Sequence, residues 1–149
     1  MGEVPESHPR FASLMARKKL TEAAAAGLLA DSALIAHGRG EAFDYLLQER
    51  TCDAARQAIR VCAASLASAK SPVISVNGNT VALAGPELLA CAAVLECPIE
   101  VNIYYRTPER MNALLKKLDE QKVEAGRKYP DLVAKIDAVK ILGNAPDAR

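Results

Sequence analysis

The stretch Val73–Thr80, "VISVNGNT", decides the fold class of this chain. Its first half, "VISV", is a β-branched run, which is typical of a strand. Its second half, "NGNT", has the composition of a turn, and helical sequence follows it, with Pro86 suited to a first helical position after Gly85. A strand that leads through a short turn into a helix is the first part of a β-α-β unit.

The same strand-helix order continues downstream. The alternating sequence Ile99–Tyr105 predicts a second strand, and Thr107 with Pro108 predicts the start of the next helix, which runs through "RMNALLKKLDEQ". A polar stretch, Glu124–Asp131, separates that helix from a third predicted strand, Ala138–Leu142. Strands that alternate with helices predict right-handed parallel units, with helices covering a parallel sheet.

The first half of the chain is predicted to be helical. Residues 10–26 are good helix formers, and Gly27 is placed to end that helix. A second helix is predicted from Thr51, as its cap, to a point before Pro72. Its apolar positions at helical spacing are Ala55, Ala58, Ile59, Cys62 and Leu66. We expect one α/β domain over residues 1–149, with a helical part at about 1–70 and a β-α-β part at about 71–149.

Composition excludes several classes of function. The 19 basic and 18 acidic residues nearly cancel, so no global field favours nucleic acid or membrane. Aromatic residues make up 4% of the chain and Trp is absent, which argues against a base-stacking platform. We find no apolar run long enough for a transmembrane helix and no secretory signal at the N-terminus.

The four cysteines do not have the spacing of a zinc site, and we predict no metal site from them. Cys62 and Cys91 lie in alanine-rich apolar stretches, which predicts that they are small core residues in a reducing, cytoplasmic compartment. The third strand lies close to the end of the sequence. We therefore expect a sheet edge that either a partner or further sequence covers.

The turn Asn77–Thr80 is a candidate ligand site. It follows a parallel strand, and ligands of α/β proteins bind at the carboxyl ends of strands. Gly78 would let a ligand approach the main chain, and a helix starting near Thr80 would direct its free N–H groups at an anion. A plain strand-to-helix turn explains the same residues equally well. Arg106, which closes the second predicted strand, would face a ligand by the same strand-end rule.

A second candidate is the sequence "HGRGE", residues 37–41, in which two glycines bracket Arg39. The guanidinium can contact a phosphate with two N–H groups while the bare backbone comes close. Glu41 and Asp44 could orient that arginine or bind Mg²⁺. The alternative is that Arg39 is a surface ion-pair partner and Glu41 an ordinary first-turn acid.

Other polar residues are less specific. His8 and His37 are the only histidines, and each could act as a general base or donate to a phosphate, although a lone histidine is more often structural. Arg17 belongs to a basic cluster that by itself is typical of a solvated helix face. Neither a phosphate-binding loop nor a dinucleotide fingerprint is present. From these residues alone we infer an α/β domain that binds a phosphorylated small molecule or a nucleotide.

A resemblance to a known family is more specific. It rests on five features, in order along the chain: "PESHPR" (Pro5–Arg10), Arg17, "LIAHGRGEAFDYL" (Leu34–Leu46), "PVISVNGNTVAL" (Pro72–Leu83) and "EVNIYYRTPER" (Glu100–Arg110). Together they resemble the archaeal phosphopantothenate synthetases, the 4-phosphopantoate–β-alanine ligases. "HGRGEAFDYL" and "SVNGN" are the most specific parts.

The resemblance implies a Rossmann-like fold, a homodimer, and an ATP- and Mg²⁺-dependent ligase of coenzyme A biosynthesis. In that family, ATP activates the carboxylate of 4-phosphopantoate as an acyl-adenylate, and the amine of β-alanine displaces AMP to give 4'-phosphopantothenate. Arg17 and Arg39 take the positions of family ATP contacts, and with His37 we place Arg39 among the candidate catalytic residues. For the phosphopantoate we expect Asn77, Gly78, Asn79, Thr80 and Arg106 to form the site.

The family also sets two alternatives. Its members are considerably longer and carry further ATP-binding segments in a second half that this sequence does not match. A non-catalytic ligand-binding or dimerisation module is therefore one alternative. A different phosphate-handling enzyme, such as a kinase, is another, and it would release ADP rather than AMP.

Overall fold

The computed structural model describes residues 4–35, 46–48 and 50–143. Residues 31–35 are helical. The longer helices are α1 (Phe11–Ala25), α2 (Asp53–Ser68), α3 (Gly78–Leu95), α4 (Pro108–Lys128) and α5 (Val133–Ala138), with a 3₁₀ turn at Pro130–Leu132. The strands are β1 (Ile74–Val76), β2 (Ile99–Val101) and β3 (Ile141–Leu142).

The three described strands form one parallel sheet in the order β1-β2-β3. Ile74 pairs with Ile99, and Ile99 pairs with Ile141. Helix α3 connects β1 to β2, and α4 with α5 connects β2 to β3. This architecture confirms the predicted class, a small parallel sheet with flanking helices that a helical N-terminal segment precedes. Among the described strands, β3 and β1 form the two edges.

Helix α3 is the centre of the core. It packs against α1, α4 and α5. Its buried residues include Val81, Leu89 and the small residues that follow Leu89. By length and composition it is the one helix in the described residues that could span a membrane, and 44% of that span is buried inside the fold. The packing identifies it as the core helix of the domain. The largest fully buried side chains are Leu20, Leu89, Ile99, Leu114, Leu118, Ile136, Val76, Val81 and Val101.

Helix α3 consists of two helical segments joined at Ala84, whose backbone angles (φ −144°, ψ 20°) are not helical. The predicted helix start at Gly85–Pro86 is therefore confirmed as a break inside α3. Gly27, with φ +75°, ends α1 as the sequence predicted.

The boundaries of three elements differ from the prediction. Strand β2 ends at Val101, because the chain after it leaves the sheet and exposes Tyr104. Helix α4 continues through the polar stretch to Lys128, because Ala125 on its inner face is fully buried and packing outweighs the glycine beside it. Strand β3 is only Ile141–Leu142, since Ala138 is the last residue of α5.

Two predictions about α2 and the cysteines are wrong. The N-cap of α2 is Cys52, with no side-chain cap, and Thr51 instead accepts a hydrogen bond on its carbonyl from Arg56 Nε at 3.1 Å. Cys62 and Cys91 are exposed, and Cys97 is the buried thiol. The alanine-rich sequence of α2 suggested a core element, but none of its residues is buried in this chain.

Candidate substrate site

A cavity of about 510 Å³ lies at the carboxyl ends of β1 and β2. We call it the strand-end cavity. It is lined by the segment Leu28–Ala33 on one side, by Asn77–Asn79 at the start of α3, and by Asn102–Tyr105 after β2, together with Arg110. This is where the strand-end rule predicts a ligand. The structure therefore brings the "NGN" motif to a cavity of the size that small ligands occupy.

The "NGNT" motif is the capped N-terminus of α3. Asn77 Oδ1 accepts from Thr80 N at 3.0 Å, and Thr80 Oγ1 accepts from Asn77 N at 2.8 Å. This reciprocal capping box starts the helix at Gly78, two positions earlier than expected. The side chains of Asn77 and Thr80 are thus committed to the cap. What the motif can offer a ligand is the Asn79 side chain and the first-turn amides of Gly78 and Asn79, which have no intrahelical acceptor.

Gly78 is required by the packing of the chain against itself. It is buried, and a Cβ built on it would lie 2.5 Å from the carbonyl oxygen of Leu28. The sequence explained this glycine by the close approach of a ligand. In the structure, the backbone at Leu28 occupies that place and fixes the N-terminus of α3 against the segment after α1.

Arg110 is the cationic side chain of the strand-end cavity, and sequence reasoning missed it. Its Nη1 donates to the carbonyl oxygen of Tyr105 at 2.6 Å. Its Nε is buried and has no acceptor among the described residues. Its position in the sequence could have indicated this role, because Arg110 lies in the first turn of α4 after the Thr107 cap, close to the carboxyl end of β2.

Two tyrosines lie beside Arg110 on the cavity wall. The rings of Tyr104 and Tyr105 contact each other edge to face, with centroids 5.0 Å apart and planes at 80°. Tyr104 is 92% exposed. The sequence placed both residues in a strand, where neighbouring side chains point to opposite faces, so their pairing was not foreseen.

Arg106 does not line the strand-end cavity. It lines a separate depression of about 250 Å³ with Pro108, Met111 and Asn112. Its Nη2 donates to the carbonyl oxygen of Gly143, after β3. The structure therefore places Arg106 and the "NGN" motif at different positions along the sheet edge.

Of the two predicted ATP contacts, Arg17 lies in the described residues and Arg39 does not. Arg17 Nη1 donates to the carbonyl oxygen of Leu34 at 2.7 Å, which ties α1 to the helical residues 31–35. His37 and Arg39, with Glu41 and Asp44, lie outside the described residues. His8 has a local contact, since its Nδ1 accepts from Arg10 N at 3.0 Å just before α1.

The groups with shifted pKa values lie away from the strand-end cavity. Burial raises the pKa of the Cys97 thiol, so it stays protonated at neutral pH. A hydrogen bond from Lys128 lowers the pKa of Glu87, and one from Lys135 lowers the pKa of Glu96. In the described residues no three His, Cys, Asp or Glu side chains form a group that could hold a metal.

A family model for phosphopantothenate/pantothenate synthetase matches residues 54–141, more than half of the chain. This chain belongs to that family. The match runs from α2 to β3, so it contains the start of α3 and Arg110. The resemblance of the sequence to these synthetases is thereby confirmed.

Curated relatives of the synthetase family extend the match across the chain. Three archaeal relatives carry the name 4-phosphopantoate–β-alanine ligase. The one from Thermococcus onnurineus is 47% identical over 118 residues, covering 79% of this chain and 45% of the relative. That from Thermococcus kodakarensis is 42% identical over 149 residues, covering 100% of this chain and 52% of the relative. The one from Methanosarcina mazei is 38% identical over 148 residues, covering 99% and 53%. The chain spans about half the length of these relatives.

Proposed function

We propose that this chain binds 4-phosphopantoate in the strand-end cavity, as part of an ATP-dependent ligase that joins it to β-alanine. One observation carries the proposal: the buried Nε of Arg110 has no acceptor among the described residues, in a cavity that the start of α3 also lines. A buried guanidinium N–H without an acceptor is costly. A phosphate oxygen would satisfy it.

The rest of the cavity supports a phosphorylated ligand. The amides of Gly78 and Asn79 are the free N–H groups of a helix N-terminus, where the helix dipole also favours negative charge. Asn79 and Asn102 add side-chain amides, and the cavity wall at Leu28 and Leu29 is apolar. A phosphate at α3 with a branched aliphatic body along that wall fits this arrangement.

The proposed reaction needs no protein nucleophile. An oxygen of the substrate carboxylate attacks the α-phosphorus of ATP and diphosphate leaves. The amine of β-alanine then attacks the acyl carbon, AMP leaves, and the amine loses a proton. Arginines that hold the α-phosphate would stabilise its transition-state charge, and holding the three substrates in line does the remaining work. Arg39 and His37 are the residues proposed closest to this step.

ATP is proposed to contact Arg17 and Arg39. Within residues 4–35, 46–48 and 50–143, one N–H of Arg17 is engaged, by Leu34, and a guanidinium has five such donors. Arg17 also ties Leu34, in the helical residues 31–35, to α1. Mg²⁺ would neutralise phosphate charge, and it usually binds through phosphates and one or two carboxylates. Glu41 and Asp44 remain the proposed carboxylates.

The experiment is product analysis on the full chain with Mg-ATP, 4-phosphopantoate and β-alanine. We expect AMP only when both other substrates are present, matched by 4'-phosphopantothenate on chromatography. ADP in place of AMP would indicate a kinase. If no nucleotide is converted, calorimetric titration with 4-phosphopantoate separates a binding module from a chain without this site. Arg39→Ala should abolish AMP formation at an unchanged melting temperature, and unchanged turnover would remove Arg39 from the site.

A dimerisation role is the second proposal, and α2 favours it. No residue of α2 is buried, although Ala55, Ile59, Cys62 and Leu66 form an apolar stripe at helical spacing. Ile59 is 61% exposed. An isolated helix of this length is marginal in water, so α2 needs a partner surface. We propose that a second copy of the chain covers the stripe in a cytoplasmic homodimer, whether or not the chain is catalytic alone.

A further inference from the structure

We infer that Gln121 is a positioning residue for the phosphate site, and that it acts through the break in α3. This inference rests on the proposed function for its ligand but not for its geometry. Gln121 lies on α4, is 5% exposed, and is the buried polar side chain of the described core. Its Nε2 donates to the carbonyl oxygen of Val81 at 2.9 Å.

This hydrogen bond reaches α3 in the turn before its break at Ala84. In a regular helix the carbonyl of Val81 would accept from Gly85, four residues on. The non-helical angles of Ala84 interrupt that pattern, and Pro86 has no N–H to offer the next carbonyl. The amide of Gln121 satisfies Val81 from outside the helix.

Gly85 makes room for that amide. A Cβ on Gly85 would lie 2.0 Å from Gln121 Oε1, closer than any side chain tolerates. Gly85 and Gln121 therefore form one arrangement, in which a glycine admits the side chain that the helix break requires. From the sequence, Gly85 is only the residue before the predicted helix start at Pro86, and Gln121 has no assigned role.

The hydrogen bond from Gln121 affects the strand-end cavity because the segment of α3 before the break is short. Val81 lies three residues after Gly78, about 4.5 Å along the helix axis. Gly78 is fixed at one end against the carbonyl of Leu28, and Val81 is fixed at the other by Gln121. These two contacts set the direction of the first turn, and hence where the amides of Gly78 and Asn79 point.

The test uses the full chain and the variant Gln121→Met, which keeps the side-chain length and removes the donor. We expect shifted ¹⁵N–¹H resonances for Gly78 and Asn79, and an affinity for 4-phosphopantoate weakened by roughly threefold to tenfold. The control is Ile136→Val in α5, which loses core packing at a residue that does not line the strand-end cavity. It should lower the melting temperature and leave those two resonances and the affinity unchanged.

A second variant keeps the inference falsifiable. Gly85→Ala should displace the Gln121 amide and shift the same resonances, and the double variant should add little to either single one, because both remove one hydrogen bond. Unmoved Gly78 and Asn79 resonances in Gln121→Met would overturn the inference. If the wild-type chain binds no 4-phosphopantoate, the proposed function fails, and the resonances alone then decide the role of Gln121.

Discussion

The carbonyl oxygen of Leu28 lies 2.5 Å from the point that a Cβ on Gly78 would occupy. Neither group can move easily, since one is main chain and the other begins a capped helix. We predict that Gly78→Ala lowers the free energy of unfolding by about 1–3 kcal/mol. Because the shift would move the whole start of α3, binding of 4-phosphopantoate should also weaken. Chemical denaturation and calorimetric titration measure the two effects.

Gly126→Ala is the matched control for this variant. Its Cβ would lie 3.4 Å from Val133 Cγ2, an ordinary contact, and the residue lies within α4. Replacing a helical glycine with alanine there should stabilise the chain by about 0.5–1 kcal/mol. If Gly78→Ala behaved in the same way, the contact with Leu28 would not be the reason for the glycine.

The Asn77→Asp variant separates capping from anion binding. Aspartate caps a helix as well as asparagine does, and its charge suits the helix dipole, so the melting temperature should hold or rise. The same charge would repel a bound phosphate. We expect the dissociation constant for 4-phosphopantoate to rise about tenfold. Raising the ionic strength should shrink that difference, and an unchanged affinity at low salt would place the phosphate away from α3.

Arg110 and Arg106 are the two candidate contacts of the substrate phosphate. Substituting each in turn decides between them. Arg110→Met removes a buried donor from the strand-end cavity and should weaken 4-phosphopantoate binding about tenfold to a hundredfold. Arg106→Met removes a donor to Gly143 outside that cavity and should change the affinity far less. Calorimetric titration measures both. The reverse order would return Arg106 to the site, as the sequence predicted.

Self-association through α2 is tested by placing a charge on its apolar stripe. Ile59→Lys should convert the proposed dimer to a monomer in light scattering, because a lysine cannot be buried unpaired at an apolar interface. Val123→Lys is the control, since Val123 is 59% exposed, close to the 61% of Ile59, but lies on α4. A wild-type monomer, or an Ile59→Lys dimer, would refute this use of α2.

Much of the fold could be predicted because its signals are local. The β-branched run before "NGNT" and the Thr107–Pro108 cap lead to β1 and α4 as expected. The errors concern elements whose state depends on distant contacts. Helix α4 passes through Gly126 because Ala125 packs on the core, and no residue of α2 is buried within the described chain.

The candidate site was predicted in outline only. Asn77–Asn79 line a cavity at the strand ends, where the strand-end rule, which depends on topology alone, predicts a ligand. That rule could not say which arginine after β2 turns toward that cavity, because β2 ends earlier than its sequence suggests and the following turn directs Arg110 there. Gln121 was missed since a glutamine on a polar helix gives no sign that it is buried.

The parallel sheet also constrains how this chain acquires its structure. Each strand pairs with one that lies beyond an intervening helix. Ile74 pairs with Ile99, and Ile99 pairs with Ile141. Such non-local pairings are reached only after the entropy of closing the connecting loop has been overcome, which slows folding. The helices can form early, whereas β3, with two residues and the longest closure, should join last. In refolding kinetics, protection of the Ile99 amide, which donates to Lys140, would then report the final step.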